Sequence, residues 1–190
     1  MHKKISDEYR AKGITGYYKN EGEFYRNPHE PLLESLLKQS LSKKSISKGC
    51  MLDLACGSGE ITIILEKYGF THIEAIDPYT YKAYKSRTGR HAEKFSFEEI
   101  AQGGIAGKQY ELVICSFAMH LVDESWLPKL CFHLSLIANH LIILTPLKRP
   151  KIQADWGWIL DFELLENRVR ARSYSSLYKQ EVATTQDLVR

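Results

Sequence analysis

The sequence has little of what marks a metal protein, a membrane protein or a polyanion binder. Its four cysteines form no CxxC pair and have no closely spaced histidine partner, so no zinc site is expected. Nowhere do 18 apolar residues run together, and the N-terminus lacks an apolar signal segment, so no membrane partner is expected. The net charge of +3 is too small to indicate nucleic acid without local clustering.

The cysteines favour a reducing compartment. Three of the four lie in apolar runs, where a free thiol behaves as a small buried hydrophobe. We therefore expect a soluble cytoplasmic protein, with a nuclear location left open.

The composition is that of one globular domain over residues 1–190, since 44% hydrophobic residues suffice for a single core. We divide it into an N-terminal helical arm (1–47), a central core (48–146) and a C-terminal strand region (147–190). The sequence Asn-Pro-His-Glu at 27–30 predicts a helix start. An apolar stripe at helical spacing follows, formed by Leu32, Leu33, Leu36, Leu37 and Leu41.

The core alternates short apolar runs with helical patterns, which predicts parallel strands joined by crossover helices. Strands are expected at 50–55, 72–77, weakly near 89–95, at 110–117 and at 140–145. The predicted fold is therefore α/β, with a doubly wound and mostly parallel sheet.

The C-terminal region predicts an antiparallel strand or hairpin. Residues 158–167 fit either a helix or the first arm of a hairpin turning at Glu166-Asn167, and the next segment alternates as a half-exposed strand. One face of that strand would carry Val169, Ala171 and Ser173, and the other Arg168, Arg170 and Arg172. Two interpretations remain for these arginines: a solvated strand edge, or a phosphate-binding patch shared with Lys148, Arg149 and Lys151.

A glycine turn follows the first core strand in MLDLACGSGE at 51–60. A dinucleotide fingerprint would have a third glycine three residues after Gly59, and the carboxylate of Asp53 would repel a pyrophosphate. Asp53 instead favours a ligand with positive charge, and Asp77, 24 residues later at a strand end, can accept hydrogen bonds from ribose hydroxyls. A cationic amino acid joined to a ribose describes S-adenosylmethionine. The alternative is a tight turn without a ligand.

The acid-x-x-x-glycine-x-glycine pattern of Asp53, Gly57 and Gly59 resembles the first motif of the class I S-adenosylmethionine-dependent methyltransferases, over roughly residues 48–146. The resemblance implies a Rossmann-like fold, S-adenosylmethionine as cofactor, and methyl transfer as activity. Asp77 would hold the ribose, Pro78 and Tyr79 would lie against adenine, and His91 stands where the family more often has aspartate. The implied cofactor-binding set is Asp53, Ala55, Cys56, Gly57, Ser58, Gly59, Asp77, Pro78, Tyr79, His91, Ala92 and Ser116.

The candidate catalytic residues follow the fourth predicted strand, in SFAMHLVD at 116–123. His120 and Asp123 could take a proton from the acceptor, although His120 also fits a packing histidine at a helix start. In this family, amino-group methylation of adenine or glutamine commonly uses Asn/Asp-Pro-Pro-aromatic at this exit. Ser116-Phe117-Ala118-Met119 departs from that pattern, so those two acceptors are disfavoured.

The acceptor is left open, with RNA and small molecules ranked above protein. A second hypothesis is a non-catalytic methyltransferase-like module that binds and activates a partner subunit. The N-terminal arm carries aromatic side chains that could form a lid over the cofactor or pack at the domain edge: Tyr17, Tyr18, Phe24 and Tyr25.

Overall fold

The computed structural model describes residues 26, 27 and 29–179. Five helices and six strands lie along this part of the chain, and residues 177–179 are also helical. In chain order they are α1 (Glu30–Lys43), β1 (Met51–Leu54), α2 (Glu60–Lys67), β2 (Ile73–Ile76), α3 (Tyr81–Thr88), α4 (Phe97–Ala101), β3 (Tyr110–Ser116), α5 (Leu127–Ile137), β4 (Ala138–Thr145), β5 (Trp158–Glu166) and β6 (Val169–Ser176). Short 3-10 turns lie at Met119–Leu121 and Ala154–Trp156.

The strands form one sheet in the order β2-β1-β3-β4-β6-β5. The first four are parallel, β6 runs antiparallel to β4, and β5 runs antiparallel to β6. Successive side chains of a strand point to opposite faces, so Leu141 and Ile143 pack with α4 and α5, while Ile142 and Leu144 pack with α1 and α2. The α/β fold with a mostly parallel sheet is confirmed.

The predicted helix of the arm is also present as α1. Its start lies at Glu30, and Asn27 Oδ1 accepts a hydrogen bond from the His29 backbone N–H at 2.9 Å. The three leucines at the centre of the predicted stripe, Leu33, Leu36 and Leu37, are fully buried against the sheet.

The weak strand expected near 89–95 is wrong in extent. Glu93 alone bridges to Ile76, with its N–H donating to Ala75 O at 2.8 Å and its carbonyl accepting from Asp77 N at 2.9 Å. Ser96 then caps α4 in a reciprocal capping box with Glu99, which turns the chain away from the sheet edge.

The C-terminal region is a hairpin, so the helical alternative for 158–167 is wrong. β5 and β6 are joined by Asn167 and Arg168, whose φ values of 46° and 67° suit a two-residue hairpin turn of the primed type. Trp158 at the start of β5 is buried, and its Nε1 donates to Cys131 O at 2.8 Å. The turn lies one residue later than predicted, because Glu166 still pairs with Val169 in the hairpin.

The expected exposed row of arginines is wrong for Arg170 and Arg172, and β6 is not a sheet edge, because it lies between β4 and β5. Arg172 is 2% exposed and donates from Nε to Glu163 Oε2 at 2.6 Å. Its remaining nitrogens donate to Pro150 O at 2.8 Å and Lys148 O at 2.9 Å. Arg170 is also largely buried beside the same glutamate, at 3.5 Å. A guanidinium tolerates burial here because its planar fork of donors is satisfied.

All four cysteines are free, as expected, and three of them are buried: Cys56, Cys115 and Cys131. Within the described residues, no group of three or more histidine, cysteine, aspartate or glutamate side chains is arranged to hold a metal ion. None of the helices in that part of the chain is both long and apolar enough to cross a bilayer.

Candidate functional site

The loop after β1 makes a sharp reversal at the carboxyl edge of the sheet. Ala55, Gly57 and Gly59 all have positive φ, at 57°, 58° and 91°, and Gly59 N donates to Cys56 O at 2.8 Å. Positive φ at a non-glycine residue is uncommon and strained, which marks Ala55 as a position held by its surroundings. Helix α2 begins directly after the loop, with Gly59 as its N-cap.

A cleft opens beside this loop, at the carboxyl ends of β1, β2 and β3. We call it the glycine-loop cleft. In open α/β sheets this edge is where ligands bind. Half of the twelve residues expected to bind the cofactor lie in its wall: Ala55, Gly57, Asp77, Pro78, Tyr79 and Ser116.

Asp77 is the anchor of the cleft wall. Its Oδ1 accepts from the backbone N–H groups of Tyr79 and Thr80, both at 2.8 Å, and its Oδ2 accepts from Gly57 N at 3.2 Å. These bonds fix the carboxyl group between the glycine turn and the loop after β2. Thr80 Oγ1, in the same wall, is buried without a hydrogen-bond partner among the described residues. An orphaned hydroxyl beside an oriented carboxylate suits a ligand that carries hydroxyl groups.

Part of the wall was missed at the sequence level. The segment 95–98 lines the cleft where the resemblance placed His91 and Ala92. The capping-box pattern of Ser96 and Glu99 was the available signal, because it predicts a helix start there. The further lining residues not expected from the sequence are Leu54, Ile76, Thr80, Phe117, Ala118 and Leu121.

Asp53 lies behind the loop, at 0% exposure. Its Oδ2 accepts from Thr62 N at 3.0 Å and from Thr62 Oγ1 at 2.7 Å, which ties β1 to the first turns of α2. Burial raises the pKa of Asp53 to about 8, because desolvation disfavours the carboxylate. The structure thus gives Asp53 a contact that holds the loop in shape, at a distance from the cleft wall.

The other expected residues outside the wall have separate surroundings. Cys56 and Ala92 pack with Tyr84, and His91 is exposed to solvent. Ser58 is fully buried and donates to Glu60 Oε1.

Glu60 connects the loop to the N-terminal arm. Its Oε1 accepts from Asn27 N at 3.0 Å and lies 3.1 Å from Arg87 Nη1. The second terminal nitrogen of Arg87 contacts both carboxylate oxygens of Glu30 at 2.7 Å. The start of α1 is therefore fixed against the base of the glycine loop.

The arm also reaches the mouth of the cleft. The rings of His29 and Phe117 stack with centroids 5.2 Å apart and an interplanar angle of 16°, and Phe117 lines the cleft. The aromatic residues Tyr17, Tyr18, Phe24 and Tyr25 lie outside the described residues, so the predicted lid stays a prediction.

A second cleft lies beside the segment that follows β4. We call it the basic cleft, because Lys148, Arg149 and Lys151 line it together with His120 and Trp156. The two clefts share the 3-10 turn Met119–Leu121: Leu121 lines the glycine-loop cleft, and its neighbour His120 lines the basic cleft.

The two candidate catalytic residues have different surroundings. Burial lowers the pKa of His120, and its Nδ1 is buried with no hydrogen-bond partner in the described part of the chain. Asp123 lies on an exposed turn and accepts from Ser125 N at 2.9 Å and Ser125 Oγ at 2.6 Å, which lowers the pKa of this carboxyl group. His120 lines the basic cleft, and Asp123 lines neither of these two clefts.

This chain is similar to known proteins in sequence and in fold. An uncharacterized protein of Schizosaccharomyces pombe is 34% identical over 196 residues, covering 81% of this chain and 79% of its own length. Magnesium protoporphyrin IX methyltransferase from Synechocystis, solved with bound S-adenosylmethionine, superposes with a TM-score of 0.60 at 16% identity, covering 93% of this chain and 100% of that one.

A ribosomal protein L11 methylase from Lactobacillus delbrueckii gives a TM-score of 0.58 at 16% identity, with 80% of each chain covered. At such low identity these two solved structures show a shared Rossmann-like fold. Residues 25–180 match the family model described as a methyltransferase domain, which confirms the resemblance seen in the glycine-loop motif: this chain belongs to the methyltransferase family.

Proposed function

We propose that this S-adenosylmethionine-dependent methyltransferase acts on a small-molecule acceptor. The observation that carries the cofactor assignment is the pairing of the oriented Asp77 carboxylate with the orphaned Thr80 hydroxyl in the glycine-loop cleft. Together they offer acceptors for the two ribose hydroxyls, while Pro78, Phe95 and Phe97 supply an apolar wall for adenine.

S-adenosylmethionine held by Asp77 and Thr80 would supply an electrophilic methyl group for an acceptor lone pair, and the C–S electron pair would remain on its sulfur. The chain's own work is alignment of the acceptor and exclusion of water. His120 is neutral at neutral pH because burial lowers its pKa. Its imidazole is therefore able to take the proton that an O–H or N–H acceptor loses.

The burial and pairing of the C-terminal arginines favour a small acceptor over RNA. RNA binding needs cations that neutralise successive phosphates. Arg172 is committed to Glu163 and two backbone carbonyls, and Arg170 lies beside the same glutamate. Arg168 is the one member of the row that is exposed, so this row adds a single exposed cation to the expected phosphate-binding patch. The other cations of that patch are Lys148, Arg149 and Lys151, which line a cleft.

Calorimetry tests the cofactor assignment. Asp77→Asn should weaken S-adenosylmethionine binding at least tenfold, about 1.4 kcal/mol, because an amide is a poorer acceptor than a carboxylate. The matched control is Asp155→Asn, the same change at an exposed aspartate in the 3-10 turn before β5. Equal affinity in both variants, with both still folded, would remove Asp77 from the site.

Methyl transfer itself is tested by incubating the purified chain with radiolabelled S-adenosylmethionine and a cell extract. We expect label in small metabolites, resistant to nuclease and protease. Label in nuclease-sensitive polymer would establish an RNA acceptor instead. Cofactor binding without any transfer would favour a non-catalytic module that acts through a partner subunit.

A further inference from the structure

We propose that the basic cleft holds the methyl acceptor and that this acceptor carries an anionic group, a phosphate or a carboxylate, on an apolar body. The inference rests on the proposed function, since it concerns the second substrate of the same site. Its first support is position. Leu121 lines the glycine-loop cleft and the preceding residue, His120, lines the basic cleft, so both clefts border the same 3-10 turn.

The second support is charge. Three cations, Lys148, Arg149 and Lys151, line the basic cleft together with one carboxylate, that of Glu124. Arg149 and Glu124 approach to 3.7 Å, but both side chains are 85% exposed, and an ion pair in that setting is weak. The ammonium groups of Lys148 and Lys151 make no hydrogen bond or ion pair within the described residues. The cleft therefore has positive charge that no carboxylate of the described residues neutralises.

The third support is the way the basic segment is held. The buried guanidinium of Arg172 donates to the carbonyls of Lys148 and Pro150, and Glu163 fixes the guanidinium in turn. The backbone that carries the lysines is thus fastened to the centre of β6. Side chains on a fastened backbone lose less freedom when they bind an anion, so the cations are preorganised rather than merely exposed.

The fourth support is the apolar part of the lining. Val122, Leu127 and Leu147 line the cleft beside Trp156, and Leu147 is 49% exposed. Ligand pockets commonly pair apolar walls with a few polar groups that fix orientation. An acceptor with an anionic end against the lysines and an apolar body against Trp156 matches both parts of the cleft.

Ligand-observed NMR titration of the full chain tests this inference, with and without saturating S-adenosylhomocysteine. The probes are phenyl phosphate and benzoate, which separate the two anion types, and phenol as the neutral counterpart. We expect at least one anion to bind tenfold or more tightly than phenol. Lys148→Gln with Lys151→Gln should weaken that anion at least tenfold. Lys38→Gln with Lys85→Gln, the same charge change at exposed lysines outside the cleft, should change it less than twofold.

Three results would overturn the inference: phenol binding as tightly as both anions, equal losses in the two double variants, or a 12-nucleotide single-stranded RNA binding a hundredfold more tightly than phenyl phosphate through the same two lysines. Failure of the proposed function has a separate signature. If S-adenosylhomocysteine does not bind but the anion still depends on Lys148 and Lys151, the anion site stands without a methyltransferase reaction. If S-adenosylhomocysteine binds and the anions show no preference, the acceptor inference alone fails.

Discussion

Replacing Gly59 by alanine tests how closely the glycine loop is packed. The φ of Gly59 is +91°, a region that costs an L-residue about 1–2 kcal/mol. A Cβ built there would lie 2.5 Å from Thr88 Cγ2 and 3.2 Å from Tyr84 Cδ2. Overpacking of this kind adds about 1–3 kcal/mol. We expect Gly59→Ala to lower the free energy of unfolding by about 2–5 kcal/mol in total.

Gly89→Ala is the matched control, because φ is +73° and the described structure has no atom within 4 Å of its added Cβ. It should cost only the conformational part, about 1–2 kcal/mol. Urea unfolding at equilibrium measures both values. If Gly59→Ala costs no more than Gly89→Ala, Thr88 moves freely aside and close packing does not constrain the glycine loop.

A second control separates damage to the cleft from general destabilisation. Gly157 also has φ of +91°, and its added Cβ would lie 2.2 Å from Ser135 Oγ, on the hairpin side of the sheet. Gly157→Ala should therefore destabilise the fold comparably while leaving the affinity for S-adenosylmethionine unchanged. Gly59→Ala should weaken that affinity at least tenfold at temperatures where the variant is still folded.

Three further outcomes follow from buried groups. Arg172→Met should lower stability by about 2–4 kcal/mol in urea unfolding, because the carbonyls of Lys148 and Pro150 lose their donors; a loss below ~1 kcal/mol would contradict it. Because burial raises the pKa of Asp53 to about 8, the native state holds this proton more tightly than the unfolded state does. The free energy of unfolding should therefore fall as pH rises from about 4 through about 8. Asp53→Asn should lose less stability than the wild type between pH 6 and pH 8.5. His120→Gln should lower kcat about 100-fold or more without changing cofactor affinity. Because burial lowers the pKa of His120, the kcat of the wild type should fall only at a pH below the ordinary histidine pKa. If the fall of kcat at low pH is unchanged in the variant, His120 is not the base.

The sequence by itself determined the elements whose signals are local. The alternation of apolar runs and helical patterns gave the parallel strands, because burial on both faces of a sheet requires continuous apolar runs. The glycine turn after β1 and the acid at the end of β2 lie next to strand ends, so Gly57 and Asp77 meet at the same edge whatever the details of packing. A hairpin turn near Asn167 was also predictable from the sequence, because asparagine is one of the few residues that readily adopt positive φ.

The tertiary structure alone decided which charged residues are available to a ligand. Arg172 alternates with apolar neighbours as an exposed residue would, yet its partners lie 9 to 24 positions away along the chain and bury it. Asp53 carries the family motif but lies behind the loop, because Thr62 satisfies one carboxylate oxygen from the next helix. Burial and hydrogen bonding depend on neighbours from distant segments of the chain, so a local sequence pattern cannot predict them.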